Sequence, residues 1–264
     1  MKKYLVIGNP IEHSLSPRLH NYWIKKNNIA AFYDKKKLNE NEAEEIIEEV
    51  KKGKINGMNV TVPFKKSIIP YLDQLTPIAE QAQSVNVIFK KNNKVFGDNT
   101  DIGGFEHSFK NIDYDVKNKN VFILGAGGVV TSIILALKRL GVAKILLSNR
   151  TKKKAENLKE QYKDLEIIDW GQITDFDVII NATSLGLNKN DQIKLDYTSV
   201  GKNKLFYDVI YNPRKTNFLL KGKELGQKTE NGKMMFIYQA QLAFKIWHNI
   251  LPKINSETIK LLDL

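Results

Sequence analysis

The strongest chemical signal lies in residues 121–150. Gly125-Ala126-Gly127-Gly128 stands between an apolar run, 121–124, and an amphipathic one, 129–140. Small residues at such a turn let backbone N–H groups close on a pyrophosphate, and the following helix aims its positive end at the anion. The plain alternative is a glycine-rich strand–helix turn with no ligand. The third glycine of the usual dinucleotide fingerprint would fall at Val130, a loss that removes no phosphate contact. NAD-binding chains commonly carry an acidic residue at the end of the second strand, on the ribose. Here Asn149-Arg150-Thr151 is followed by Lys152, Lys153 and Lys154. A carboxylate would repel a 2′-phosphate, whereas an arginine fork and a hydroxyl hold one, so NADP is favoured over NAD.

A second polar set lies in the first half. Ser14 and Ser16, one residue apart in Asn9-Pro10-Ile11-Glu12-His13-Ser14-Leu15-Ser16-Pro17, could grip a carboxylate at a helix start. Equally, Ser16 could be a simple N-cap and Ser14 a turn residue. Asn59-Val60-Thr61-Val62-Pro63-Phe64-Lys65 puts Thr61 and Lys65 at the exit of a strand, where open α/β sheets bind ligands. A lone lysine there is more often solvated. Asn86 falls in a hairpin, and Asp98-Asn99-Thr100-Asp101 follows it; an aspartate before glycines is commonly a cap or turn former. The four histidines, His13, His20, His107 and His248, do not pair with carboxylates at ligand spacing, so no metal site is expected. Nor does Ser14 stand in the strand–turn–helix setting of a hydrolase nucleophile.

The elements that must position these residues alternate between strand and helix. Strands are predicted over 4–7, 31–33, 58–62, 121–124, 144–148, 166–168, 177–181 and 205–209, with a hairpin over 85–89 and 94–96 turning at Asn92-Asn93. Helices are predicted from Ser16-Pro17, with Ser16 as N-cap, and over 42–51, 129–140 and 234–249. A short last helix is capped by Asn255 or Ser256, and Gly103-Gly104 reads as a flexible joint. Alternating strands and helices imply an α/β protein with mostly parallel sheets. The chain has 264 residues, one large domain or two ordinary ones, and enough core to fold without staples. It has no cysteine, which excludes disulfides, thiolate metal sites and thiol nucleophiles. No apolar run approaches the roughly 18 residues of a membrane span, and Gly8-Asn9-Pro10 cuts short the only run resembling a signal peptide. A cytoplasmic protein is the expectation. The net charge of +12 comes almost wholly from lysine, since arginine appears only at Arg18, Arg139, Arg150 and Arg214. Nucleic-acid readers favour arginine, so the scattered lysines read as a solvated surface and no nucleic-acid or membrane partner is expected.

Taken together, the two polar stretches above with Val85-Asn86-Val87, Gly97-Asp98-Asn99-Thr100-Asp101, Gly125-Ala126-Gly127-Gly128, Asn149-Arg150-Thr151, Asn181-Ala182-Thr183-Ser184 and Tyr238-Gln239-Ala240 resemble the shikimate dehydrogenase family. The motifs run in the family's order over nearly the whole chain. The resemblance implies reversible reduction of 3-dehydroshikimate to shikimate by NADPH, on the route to chorismate and aromatic amino acids. It implies two α/β domains. Residues 1–101, rejoined by 233–264, would be a substrate-binding and catalytic domain with a mostly parallel sheet. Residues 102–232 would be a Rossmann-type NADP-binding domain. It assigns Lys65 and Asp101 as the catalytic pair. Ser14 and Ser16 would take the substrate carboxylate; Thr61, Lys65, Asn86, Asp101 and Gln239 would surround its hydroxyls, with Tyr211 nearby. Gly125, Ala126, Gly127, Gly128 and Val129 would take the pyrophosphate, and Asn149, Arg150, Thr151 and Lys154 the 2′-phosphate end. Thr183, Ser184 and Gly232 would approach the nicotinamide. The chain departs from the family pattern at Val87, Ile102, Val129-Val130-Thr131 and Asn231-Gly232-Lys233-Met234. Reducing a ketone builds negative charge on oxygen, and Lys65 is the candidate to supply charge, a proton or both. The expected partner is the small-molecule substrate alone, with the chain a monomer or homodimer. Two alternatives stay open: a quinate/shikimate dehydrogenase using NAD, and a non-catalytic nucleotide-sensing or nucleic-acid-binding protein on the same fold.

Overall fold

Alternation along β1, Lys2–Gly8, sets the layers of the first sheet. Leu5 and Ile7 join an aliphatic core with Ile46, Ile47, Val50, Met58, Val60 and Phe64. Tyr4 faces the other way and packs on Trp247 and His248. Successive strand residues point to opposite faces, so one strand feeds both layers. The computed structural model describes residues 1–263. They divide into two compact units, 1–104 with 237 onward, and 105–236.

The first unit holds a six-stranded sheet in the order β2-β1-β3-β5-β6-β4. Its strands after β1 are β2 (Ala31–Lys37), β3 (Gly57–Val60), β4 (Gln74–Leu75), β5 (Val87–Lys91) and β6 (Lys94–Asp98). β1 pairs in parallel with β2 and β3, whereas β5 is antiparallel to both β3 and β6. The sheet is therefore mixed, because the β5–β6 hairpin is inserted beside the parallel strands. Asn92 and Asn93 turn that hairpin at φ 50 and 60, as a right-twisted two-residue loop requires.

Three local expectations are corrected. Ser16 is not an N-cap: it is the first residue of the helix Ser16–Lys26, after Leu15. Its N–H is taken by the Ser14 hydroxyl at 3.3 Å, which moves the helix start one residue earlier. β3 stops at Val60, two residues short, because the chain turns next, with Phe64 N–H donating to Thr61 O at 2.9 Å. Gly103-Gly104 stands where the two units divide but is not irregular chain: it lies inside the helix Asp101–Asn111. A Cβ at Gly103 would lie 2.6 Å from Leu242 Cδ1, so that glycine serves close packing.

The second unit is all parallel, in the order β12-β11-β10-β7-β8-β9. Its strands are β7 (Asn120–Leu124), β8 (Lys144–Ser148), β9 (Glu166–Ile167), β10 (Val178–Asn181), β11 (Leu205–Asp208) and β12 (Lys228–Asn231). Read outward from β7 this is the doubly wound order 3-2-1-4-5-6, whose ligands sit beyond the carboxyl ends of the strands. β10 and β11 are buried throughout, and β7 and β8 apart from their first residues, as strands covered on both faces are. β12 escaped the sequence reading because Lys228-Thr229-Glu230-Asn231 carries no apolar residue. It is an edge strand paired only with β11.

Candidate active site

In the first unit, two chain turns put polar groups just beyond the ends of strands. β3 leads through Thr61 to the short helix Phe64–Ser67, which carries Lys65. The Lys65 carbonyl accepts from Val85 N–H at 2.8 Å, tying it to the approach of β5. β6 leads through Asn99 and Thr100 to Asp101, in the first turn of its helix. Lys65 Nζ lies 2.5 Å from Asp101 Oδ2, with the side chains 10% and 7% exposed. The lysine is thus buried and paired rather than solvated. The other carboxylate oxygen, Oδ1, accepts from Asn86 Nδ2 at 2.8 Å.

Asn86 is the hub of this cluster. Its Nδ2 also reaches Thr100 Oγ1 at 3.0 Å and Gln239 Oε1 at 3.4 Å, and its Oδ1 accepts from Thr100 N–H at 2.7 Å. Lys65, Asp101, Asn86 and Gln239, spread over 174 positions of chain, therefore form one hydrogen-bonded set. Ser14 and Ser16 meet through the backbone contact already described. Thr61 is held against the end of β1: Asn9 N–H donates to Val62 O at 2.9 Å, and a Cβ on Gly8 would sit 2.5 Å from Thr61 Cγ2.

Sequence reasoning missed the layer beneath. Tyr33 Oη donates to Asn59 Oδ1 at 2.6 Å, and Asn59 Nδ2 donates to Asn86 O at 3.1 Å. Burial holds the Tyr33 phenol well above its ordinary range, with a hydrogen bond from Ser16 acting in the opposite sense. A continuous polar chain thus runs from Ser16 through Tyr33 and Asn59 to Asn86. The available signal was an asparagine, Asn59, inside an apolar strand. Tyr33 also stacks on His20 at 4.3 Å, and burial and the nearby His248 push the His20 imidazole down to about 3.

In the second unit, the glycine turn leaves β7 with Gly125 at φ 115. A Cβ there would meet Ala182 O at 2.7 Å, so only glycine lets this turn pass the end of β10. Around Gly127 a Cβ would meet nothing within 4 Å, which leaves an open cradle in front of the helix Val130–Arg139. That helix has no side-chain N-cap, its first N–H, of Val130, donating instead to Gly127 O at 3.0 Å, and its positive end points to where an anion would lie. These features fit a bound pyrophosphate. At the end of β8, Asn149 Nδ2 donates to Thr151 O at 2.8 Å. Lys152 is committed to Asp169 at 2.7 Å. Arg150 and Lys154 are exposed and form no ion pair with a described carboxylate. A fork and an ammonium beside the Thr151 hydroxyl suit a phosphate monoester.

Thr183 and Ser184 follow β10, Tyr211 follows β11, and Gly232 follows β12. Thr183 N–H and Oγ1 both donate to Asn181 Oδ1, at 3.0 and 2.7 Å. Tyr211 stacks on Phe236 at 4.4 Å.

Comparison with known proteins bears on both units. A family model described as the shikimate dehydrogenase substrate binding domain matches residues 6–88. One described as shikimate / quinate 5-dehydrogenase matches 107–217. A curated shikimate dehydrogenase (NADP(+)) of Pelagibacter ubique is 59% identical over 263 residues, covering 100% of this chain and 99% of that protein. One from Caldicellulosiruptor saccharolyticus is 38% identical, covering 99% and 98%. The crystal structure of shikimate 5-dehydrogenase from Thermus thermophilus in complex with NADP(H) and shikimate superposes with a TM-score of 0.91 at 28% identity, covering 100% of this chain and 99% of that one.

Proposed function

The chain belongs to the shikimate dehydrogenase family, and we propose that it reversibly reduces 3-dehydroshikimate to shikimate with NADPH, in chorismate and aromatic amino acid biosynthesis. The observation that carries this reading is the buried Lys65–Asp101 pair, joined through Asn86 to Gln239. It is a charged cluster that a purely structural role would not favour, because burying both ions costs more than an apolar pair.

When bound, NADPH supplies the hydride. The residues suited to hold it are Gly125 to Val129 at the pyrophosphate, Asn149, Arg150, Thr151 and Lys154 at the 2′-phosphate, and Thr183, Ser184 and Gly232 at the nicotinamide end. Ser14 and Ser16 take the substrate carboxylate. Thr61, Asn86, Gln239 and Tyr211 orient the ring hydroxyls. Lys65 faces the ketone oxygen, meets the charge that develops there and delivers the proton to it. Asp101 fixes the ammonium in place, and Asn86 fixes Asp101. In the reverse direction the same lysine accepts the proton of the shikimate hydroxyl.

The substrate is a small molecule. No described helix is long and apolar enough to cross a membrane. The proposal places the enzyme in the cytoplasm as a monomer or homodimer, without a nucleic-acid partner, since its positive charge is scattered lysine.

The test is spectroscopic: NADP+ reduction with shikimate, then with quinate, then each with NAD+. Rapid turnover only with shikimate and NADP+ is expected. Preference for quinate and NAD+ would favour the sister activity. Salt-sensitive DNA binding without turnover of either acid would overturn catalysis altogether.

A further inference from the structure

We propose that Asp208, which no step above uses, is a positioning residue for the nicotinamide end of the site: its carboxylate at the end of β11 ties together the segments after β10, β11 and β12. The inference rests on the assignments made above, of Thr183, Ser184 and Gly232 to the nicotinamide and of Tyr211 to the substrate.

Asn181 and Asp208 are register partners at the ends of β10 and β11, and both are fully buried. Asp208 Oδ1 accepts from Asn181 Nδ2 at 3.1 Å and from Ile210 N–H at 3.0 Å. Its Oδ2 accepts from Thr216 Oγ1 at 2.6 Å. Each donor belongs to a different stretch of the site. Asn181 holds Thr183 through its Oδ1, and its Nδ2 also reaches Leu185 O at 2.9 Å. Thr183 Oγ1 then accepts from Leu185 N–H at 3.0 Å, which closes the turn presenting Ser184. Ile210 precedes Tyr211, and its carbonyl accepts from Gly232 N–H at 3.2 Å. Thr216 caps the helix Asn217–Glu224 through Leu219 N–H and so ends the loop that carries Tyr211.

A single side chain therefore sets the place of three loops. An apolar residue would suit the end of a buried strand better, since burial pushes the Asp208 carboxyl up to about 6. That penalty is explained if the position serves the loops rather than the core. Helix capping alone does not explain it, because Thr216 already caps.

The experiment compares binding of NADP+ with binding of adenosine 2′,5′-bisphosphate, which reaches only the Arg150 end, in the full-length wild type, Asp208→Ala, Thr216→Val and Asp208→Asn. In Asp208→Ala the NADP+ affinity falls and the bisphosphate affinity stays at the wild-type value. There kcat drops about 10- to 100-fold, the size of one lost hydrogen bond to a buried charged group carried into the barrier. Thr216→Val is isosteric, removes the donor to Oδ2 together with the cap on Leu219 N–H, and shows the same split in smaller degree. Asp208→Asn keeps Oδ1 for Asn181 and Ile210 and recovers most of the NADP+ affinity. An NADP+-to-bisphosphate affinity ratio equal to the wild type's in Thr216→Val, and in Asp208→Ala where that chain folds, overturns the proposal. So does an equal loss of both ligands. A wild type that binds NADP+ but turns over no shikimate would overturn the functional reading alone, because the affinity ratio still tests Asp208.

Discussion

Replacing Lys65 by alanine separates transition-state stabilisation from substrate binding. The ammonium sits 2.5 Å from Asp101 Oδ2 in a setting where both side chains are at most 10% exposed. Water therefore screens it little, and a charge aimed at the developing alkoxide acts at close to full strength. Losing such a donor costs roughly 10²- to 10³-fold in kcat, and losing a positioned proton donor costs a similar factor. We expect Lys65→Ala to lower kcat at least ~100-fold, about 2.7 kcal/mol of barrier. KM for shikimate should change much less, because Asn86 still donates to Asp101 Oδ1 at 2.8 Å and holds the rest of the cluster. The variant also leaves the Asp101 charge buried without its cation, a defect that commonly destabilises by about 3–5 kcal/mol. Lys65→Met keeps the aliphatic stem and is the companion that preserves packing. Initial rates of shikimate oxidation, with thermal unfolding measured on the same samples, provide the assay. Wild-type kcat in a folded variant would refute the reasoning. So would a raised KM with kcat unchanged, which would make Lys65 a binding group that acts equally in ground and transition states.

Arg150→Ala should raise KM for NADPH about tenfold or more and narrow the margin over NADH, since one charged hydrogen bond to phosphate is lost; an unchanged preference between the two nucleotides would remove Arg150 from the site. His20 is held down to about 3 by burial, so its unfolded form takes up a proton below about 6.5 while the folded form does not. Stability should therefore fall by roughly 2 kcal/mol between pH 6.5 and 5 through this residue. His20→Phe, which loses no hydrogen bond because neither ring nitrogen has a protein partner, should blunt that fall in denaturant titrations at the two pH values. Asp208 carries the opposite sign. Its carboxyl is raised to about 6, so its contribution is most favourable below about 4 and is lost as pH rises to about 6, roughly 3 kcal/mol in all. Asp208→Asn should flatten the stability profile across that window, and an unaltered slope would mean the group does not titrate there.

The legible parts of this chain were those whose signal is local. The glycine turn, the Asn92-Asn93 hairpin and the strand Lys144–Ser148 each declare themselves within a few residues, through positive φ or an unbroken apolar run. β12 did not, because an edge strand with one neighbour need not be apolar. The order of the first sheet was not readable either. Nothing in Val87–Lys91 says that it lies between β3 and β6 rather than at a border.

The same distinction divides the site. Residues offered to ligands lie in short motifs, and Lys65, Asp101, Asn86 and Gln239 could be proposed from a resemblance alone. The residues that hold them could not. Tyr33 and Asn59 are linked across 26 positions, and Asn181 and Asp208 across 27. Each looks like an ordinary strand residue until its partner is in place. What they share is cost: a phenol, two amides and a carboxylate are buried where aliphatic side chains would pack more cheaply. In both units the buried polar residue sits at or near the carboxyl end of a strand, one step behind a proposed ligand contact. The paired hydrogen bonds restrict the loops that follow to one arrangement, and a site that must present several groups to a small polyol acid and its nucleotide gains from that restriction more than from a drier core. A polar residue interrupting an apolar strand just before a functional loop is thus the sequence signature of the supporting layer, and Asn59, Asn181 and Asp208 all carry it.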